Sequence, residues 1–556
     1  MQPINSRAVI SYLSCLATIL ILASFYEINW FFAPAVNLTT LLNCIFSIYL
    51  LIKIKKALKL EIISILVLIL ATYILIFATI NGDIQFYAPN LALIFSYAIL
   101  FFVFNNFYLN TQVKAETRIT ICYLSSLLIS FFFLKSLLTK SISDTVNPGI
   151  SNFGAFSMIV SILSLPLYFQ TKRKVNPLFI AGIIISLFFT LYNKNRIGLF
   201  IHFYALVSVV SSIAGWQLKK RYFYSLFFFL AILLLFAKFD STSGRFYIWK
   251  VLITDIAQIR FTGVGFNSFK SKYADYQINA LQNTNANNYN ISDPSYAFNE
   301  FLQIYFELGI IGVLILISFI AILLGKNKIR IDALFEEQTI ITAVILLLIL
   351  FSYPFHEAEI FILFFLLILF IKPASSEFFI LINHSFYKPI KGLFIIALTS
   401  VIFFKVILGA DLYRWQKKSV NKILIEENLS MSLLGNRIYT PTFLRSRIHL
   451  YQLNNEYEKV ITNLSLLEKY YITSDMKVIK GYYYLKSGDK QLALQNFLYA
   501  ASLVPYKIKP KYYLAKTYKE LREYKKCDSL KTIIETTPPK INNEEFKKFL
   551  NLTRQL

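Results

Sequence analysis

Long apolar runs alternate with short polar ones along most of the chain. The runs fall at about 8–26, 37–52, 62–80, 89–110, 119–138, 152–169, 177–192, 197–215, 222–239, 301–324, 338–353, 357–371 and 392–408. Several approach the ~20 residues that a helix needs to cross a bilayer. The runs 177–192 and 357–371 are short and fit tilted, broken or re-entrant segments. The first run shows no small-residue cleavage site, so it is expected to be a retained helix rather than a removed leader. The pattern predicts an all-α, polytopic membrane protein of about 12–13 transmembrane helices. Two stretches interrupt it: 240–300 is a long polar loop between the ninth and tenth runs, and the chain is hydrophilic from Gly409 onward. The expected units are therefore helices within 1–239, a loop at 240–300, further helices within 301–408, and a tail at 409–556.

Charge orients the pattern. With the N-terminus cytoplasmic, the inside segments hold Arg7, the Lys53–Lys59 cluster, Lys114 and Arg118, Lys172–Lys174, Lys219–Arg221, Lys326–Arg330, and Lys372 with Lys388 and Lys391. Together they carry nineteen Lys and Arg. The short outside loops carry three, Lys140, Lys194 and Arg196. That asymmetry is the positive-inside signature, and a missed helix would scramble it. The expectation is a multi-pass protein of a bacterial inner membrane with its tail in the periplasm.

Composition sharpens this. Of 556 residues 56% are hydrophobic and 16% charged, which excludes an ordinary soluble enzyme. The formal charge of +25 would elsewhere raise nucleic acid as a partner. Here topology and a tail with 26 basic and 14 acidic residues account for it. Lipid headgroups suit the basic cytoplasmic segments. Cys15, Cys44 and Cys122 lie in apolar runs, and there is no CxxC pair or Cys/His cluster, which argues against a structural metal. No cofactor is expected.

The tail resembles tetratricopeptide repeats. Counting from residue 474, the 34-residue pattern places Gly481 at position 8, Tyr484 at 11, Ala493 at 20, Phe497 at 24, Ala500 at 27 and Pro505 at 32. Small residues at 8 and 20 allow paired helices to approach, and Pro ends the second helix. A looser unit follows, with Ala515, Tyr518 and Cys527 in register, and a degenerate one is expected over about 440–473. Such a tail is a scaffold for a protein partner.

Charged groups at membrane depth are costly and tend to be functional. Lys194 and Arg196 sit in a four-residue outside turn, against the topological bias. An anionic phosphate would answer both, and Arg suits it geometrically. Arg245 lies in Ser243-Gly244-Arg245-Phe246-Tyr247-Ile248-Trp249, and Arg260 precedes a Gly263-x-Gly265 turn. Asn299, Gln303 and Glu307 recur at i, i+4 and i+8 as the chain enters the tenth run. This polar stripe should face a cavity rather than lipid. Gly309 and Gly312 would let a neighbouring helix approach closely.

In this combination the chain resembles the O-antigen ligase/polymerase superfamily of bacterial inner-membrane glycosyltransferases, which includes protein O-oligosaccharyltransferases. The resemblance covers roughly 150–370. It rests on Arg196 between two runs, Gly244-Arg245 with Trp249, Gly263-x-Gly265, the Asn299-Glu300…Gln303…Glu307-x-Gly309 run, and Ser352-Tyr353-Pro354-Phe355. It implies a metal-independent transfer of a glycan from an undecaprenyl-diphosphate carrier. The acceptor would be lipid A–core, a growing glycan, or a protein Ser/Thr hydroxyl. Arg196 and Arg245, with Lys194 and Arg260, map to diphosphate binding. Fixed cations there would stabilise charge building on the leaving diphosphate.

The chain departs from the family at Phe298, where ligases carry a His that serves the acceptor hydroxyl. His356, Glu300 and Asp293 are the candidates to supply that role, all expected outside; imidazole has a suitable pKa for it. The rival to an enzyme is a transporter or a membrane scaffold for the repeat tail. No half-repeat is evident, and the polar residues cluster at the outer face.

Overall fold

A computed structural model describes residues 38–53, 59–80, 84–111, 187–188, 191, 239–254, 261–283, 291–326, 349–350, 379–381, 384–418, 441–536 and 544–556. The greater part of the runs at 8–26, 119–138, 152–169, 177–192, 197–215, 222–239, 338–353 and 357–371 lies outside the described residues. The fold is helical. The helices before the tail are α1 (Leu38–Lys53), α2 (Ile62–Ile80), α3 (Ile84–Thr111), α4 (Phe239–Thr254), α5 (Phe269–Asn283), α6 (Glu300–Lys326) and α7 (His384–Lys418). Among the described residues three stretches are long and apolar enough to cross a membrane: Phe86–Val103, Glu300–Ile322 and Lys388–Ala410. The apolar helix at Ser64–Ile80 is slightly shorter.

Packing among these helices is dense and aromatic. Cys44, Leu50 and Leu51 of α1 meet Ile99, Phe102 and Val103 of α3 and Leu398 of α7 in one buried cluster. The Phe102 and Phe394 rings lie 5.2 Å apart. Lys405 of α7 is 1% exposed although it falls within the apolar stretch, so it faces protein rather than lipid. The one strand ladder among the described residues pairs β1 (Lys59–Glu61) antiparallel with β2 (Phe379–Leu381). It joins the two polar segments that precede α2 and α7.

The stretch 240–300, expected as a polar loop, carries α4 and α5. Each is too polar to read as a span, yet each buries apolar side chains. Tyr247, Ile248, Val251 and Leu252 of α4 and Phe269 and Tyr273 of α5 pack with Ile291, Ala297 and Phe306. The Phe269 and Tyr273 rings stack at 4.7 Å. Both are short helices of mixed composition, and α4 also leaves Phe246 and Ile253 exposed.

The tail is a stack of helix pairs: α8 (Pro441–Leu453) with α9 (Tyr457–Leu467), α10 (Ser474–Lys486) with α11 (Lys490–Leu503), and α12 (Ile508–Glu520) with α13 (Tyr524–Thr536). The helix α14 (Glu544–Arg554) closes it. The first helix of each pair ends in the same way. Asn455, Gly488 and Arg522 hold left-handed backbones with φ of 57°, 92° and 63°. The following amides of Glu456, Asp489 and Glu523 each donate at 2.9 Å to the carbonyls of Tyr451, Tyr484 and Tyr518. Asn455, Gly488 and Arg522 donate to Gln452, Leu485 and Lys519. This double closure is a Schellman cap, repeated three times. Thr473 and Asp489 cap the starts of α10 and α11 through the amides of Met476 and Leu492. Between α10 and α11, a Cβ on Gly481 would stand 2.6 Å from the Phe497 ring. Only glycine allows that crossing.

Candidate functional site

Helix α4 carries Arg245 and Trp249 one turn apart, so both project from one face. Both reach the same short segment before α6. The Trp249 indole N–H donates to the Ala297 carbonyl at 2.7 Å. The Arg245 guanidinium lies over the Phe298 ring, 4.8 Å from its centroid. Phe298 has φ 56°, a left-handed backbone that a bulky residue rarely adopts. Its neighbours hold it there. The Ala297 amide donates to Gln303 Oε1 at 2.7 Å, and Asn299 Oδ1 accepts from the Leu302 amide at 3.1 Å, capping α6.

Helix α6 is broken at Gly309, where φ is 67° and ψ −161°. The segment before α5 fills the break. Val264 and Gly265 donate their amides to the Phe306 and Glu307 carbonyls at 2.8 and 3.1 Å, and Ile310 donates to Phe261 at 3.0 Å. The Tyr73 hydroxyl of α2 donates to the Leu308 carbonyl at 3.0 Å. Carbonyls and an amide freed from the helix ladder thus have partners, as an apolar surrounding requires.

Glu307 ties the same turn from its side chain. Its carboxylate accepts from the Asn267 amide at 2.8 Å, the Phe269 amide at 3.4 Å and Gln303 Nε2 at 2.7 Å. Glu307 and Gln303 are 4% and 2% exposed. The polar stripe therefore grips the 261–269 turn and the Ala297 amide. Asn267 also holds a left-handed backbone, φ 54°, within that turn.

Asp293 lies in the segment leading to this corner and is held by the tail. Its Oδ2 accepts from the Ser474 amide at 3.4 Å and from Lys507 Nζ at 3.2 Å. Lys507 also bonds Asp475 at 2.9 Å, and Lys509 bonds Asp475 at 3.2 Å. Burial raises the Asp293 carboxyl above its ordinary value despite Lys507 and the Ser474 amide. Burial also acts on Asp475, but the hydrogen bond and charge of Lys507, then Lys509, outweigh it and hold that carboxyl below the ordinary range. Burial pulls Lys507 down, and the two carboxylates more than reverse it.

Further bonds dock the tail. Gln277 of α5 donates to the Leu503 carbonyl at 2.8 Å, Tyr499 to Asp275 at 2.6 Å, and the Ile472 amide to the Lys270 carbonyl at 2.9 Å. At the start of α3, Tyr87 donates to the Lys469 carbonyl and Tyr470 to that of Phe86.

The structure brings Arg245, Asn299, Glu300, Gln303 and Glu307 into one corner and adds Phe298 to them. Glu300 is buried. Asp293 sits apart from that corner, in the tail junction. Lys194, Arg196, Arg260 and His356 lie outside the described residues. His449 is exposed on α8. Sequence reasoning missed three relations. The two glycine motifs are halves of one contact, Phe298 is the seat of Arg245, and Lys405 is buried. Only the last had a local signal, a charge inside an apolar run. Among the described residues no group of His, Cys, Asp and Glu could hold a metal ion.

Residues 155–317 match the family model described as O-antigen ligase. The matched stretch contains α4, the 261–269 turn, α5 and the broken part of α6, the elements that meet at this corner. The match supports a ligase-like glycosyltransferase activity, which calls for a glycan donor and an acceptor. With the apolar helices it supports a membrane protein. No curated protein and no solved structure matches the chain.

Proposed function

We propose that the protein transfers a glycan from an undecaprenyl-diphosphate carrier to an acceptor hydroxyl at the periplasmic face of a bacterial inner membrane, with lipid A–core as the acceptor. The observation that carries this is the seating of Arg245 at the corner where α4 meets the broken helix α6, within the stretch that matches the ligase family. A guanidinium held over an aromatic ring is preorganised for a diphosphate, and charge grows on that group as the glycosyl bond breaks. Arg196, Lys194 and Arg260 are the other proposed diphosphate ligands. Glu300 and His356 are the proposed acceptor-side groups. No metal takes part in this reading.

The orientation is supported by the positive-inside asymmetry and by which segments touch. The tail meets the outer-side ends of α2 and α3 and the 261–300 region. The β1–β2 ladder joins two segments assigned to the opposite side.

The repeated caps at Asn455, Gly488 and Arg522, spaced like tetratricopeptide units, support reading the tail as such a domain. Its docking beside the site favours a second reading, transfer to Ser/Thr of a protein. A deletion strain separates the readings. Loss of the polysaccharide ladder on lipopolysaccharide supports the first, and loss of glycoprotein staining the second. Shorter chains on an otherwise capped core would indicate polymerisation. Unchanged patterns in all three sink the enzyme reading in favour of a transporter or scaffold. Arg196→Ala and Arg245→Ala at normal protein levels should each reproduce the deletion.

A further inference from the structure

Three observations converge on Phe298. Its backbone is left-handed at φ 56°, a conformation that persists only where the surroundings enforce it. Its flanks are held on both sides, by Trp249 and Gln303 on Ala297 and by the Asn299 cap on Leu302. Its ring lies under the Arg245 guanidinium at 4.8 Å. The residue that bonds Ala297 and the residue that stacks on Phe298 are one turn apart on α4, so a single helix face grips the segment twice.

We propose that Phe298 is a positioning residue for Arg245. The enforced backbone aims the ring so that its face holds the guanidinium and restrains it where a diphosphate would bind. This rests on the reading of Arg245 as a diphosphate ligand. A cation–π contact suits that task because the ring restrains the cation without accepting a conventional hydrogen bond from it.

The test uses the full chain in detergent and farnesyl diphosphate as the probe, with affinity measured by equilibrium binding. Phe298→Leu keeps a bulky apolar side chain without a π face and should weaken binding about three- to tenfold, the range of a partly exposed cation–π contact. Phe298→Tyr keeps the face and should bind within about twofold of the parent, given the similar ring quadrupole. In an Arg245→Ala background Phe298→Leu should cost nothing more, because its effect passes through the arginine. Unchanged affinity in Phe298→Leu overturns the proposal. So does an equal loss in the Arg245→Ala background, which would mark a merely structural role. A Phe298→Tyr variant that folds and binds as poorly as Arg245→Ala overturns it as well. If Arg245→Ala itself leaves affinity unchanged, the diphosphate reading of Arg245 fails, an outcome distinct from the others.

Discussion

Gly263 and Gly309 meet backbone to backbone. A Cβ on Gly309 would stand 2.5 Å from the Gly263 amide nitrogen, and one on Gly263 would stand 2.6 Å from the Gly309 amide nitrogen. Both also hold positive φ, 85° and 67°. Gly265, at φ 139°, has ordinary space around it. Ala at 263 or 309 should therefore cost about 3 kcal/mol or more, combining strain and overlap with backbone that cannot yield. Ala at 265 meets no overlap and carries the backbone strain alone, about 1–3 kcal/mol, so it should be the mildest of the three. Thermal unfolding of the three variants in detergent checks the order. Equal melting temperatures for Gly265→Ala and Gly309→Ala would refute the docking of the turn into the helix break.

Glu307 acts on the same turn, so its loss should appear first in protein yield and stability. Glu307→Ala leaves the Asn267 and Phe269 amides and Gln303 Nε2 without their acceptor and should cost about 2–4 kcal/mol. Glu307→Gln keeps the shape and one acceptor oxygen and should cost less. Membrane protein levels and unfolding temperature measure this. A stable Glu307→Ala protein that has lost only glycan transfer would instead assign Glu307 to the chemistry.

The Asp293–Lys507–Asp475 junction predicts how tail docking responds to pH. Asp293 has a raised folded pKa, so its contribution is fully present below the unfolded value and falls as pH rises through the folded one. Asp475 is depressed; its contribution is present above its ordinary 3.8 and is lost as pH falls through the folded value below that. Lys507 and Lys509 are raised, so theirs is lost only above the ordinary lysine value of 10.5. Amide exchange at Ser474 and Ile472 should stay slow from neutral pH down to the ordinary Asp range and accelerate below it. Acceleration already between pH 7 and ~5 contradicts these assignments. Lys507→Met should cost about 1–3 kcal/mol by leaving a buried carboxylate poorly paired, and Asp293→Asn should recover most of it.

The three tail caps share one bonding pattern and carry three different residues at the left-handed position. Gly488 has open space around it, so Gly488→Ala should cost about 1 kcal/mol from backbone conformation alone. Arg522→Gly should gain up to about 1 kcal/mol for the same reason. Hydrogen exchange of α10 and α12 in the whole chain reads both. A destabilising Arg522→Gly would mean that the side chain does more than cap.

How much was legible follows from which features are local. The runs 37–52, 62–80 and 301–324 correspond to α1, α2 and α6 because apolar length and composition are properties of one segment. The left-handed tail positions at Asn455, Gly488 and Arg522 fall thirty-three and thirty-four residues apart, a regularity that the proposed tetratricopeptide reading would explain. Helices α4 and α5 were hidden because they are short, at sixteen and fifteen residues, and of mixed polar and apolar composition. The extent of α7, from His384 to Lys418, was underestimated because its ends are polar and basic.

Of the candidate site, Arg245, Asn299, Glu300, Gln303 and Glu307 were named from charge and spacing near a membrane entry. Their partners were not. Nothing in the order of residues says that Gly263 docks on Gly309, that Trp249 and Arg245 grip Ala297 and Phe298, or that Lys507 reaches Asp293. Those contacts join residues from 46 to 214 positions apart in the sequence. Sequence alone determined that this chain carries apolar helices suited to a membrane, since transfer free energy acts on each segment separately. Only the tertiary structure decided what those polar groups touch, because a hydrogen bond or a stacked cation depends on where two distant backbones come to rest.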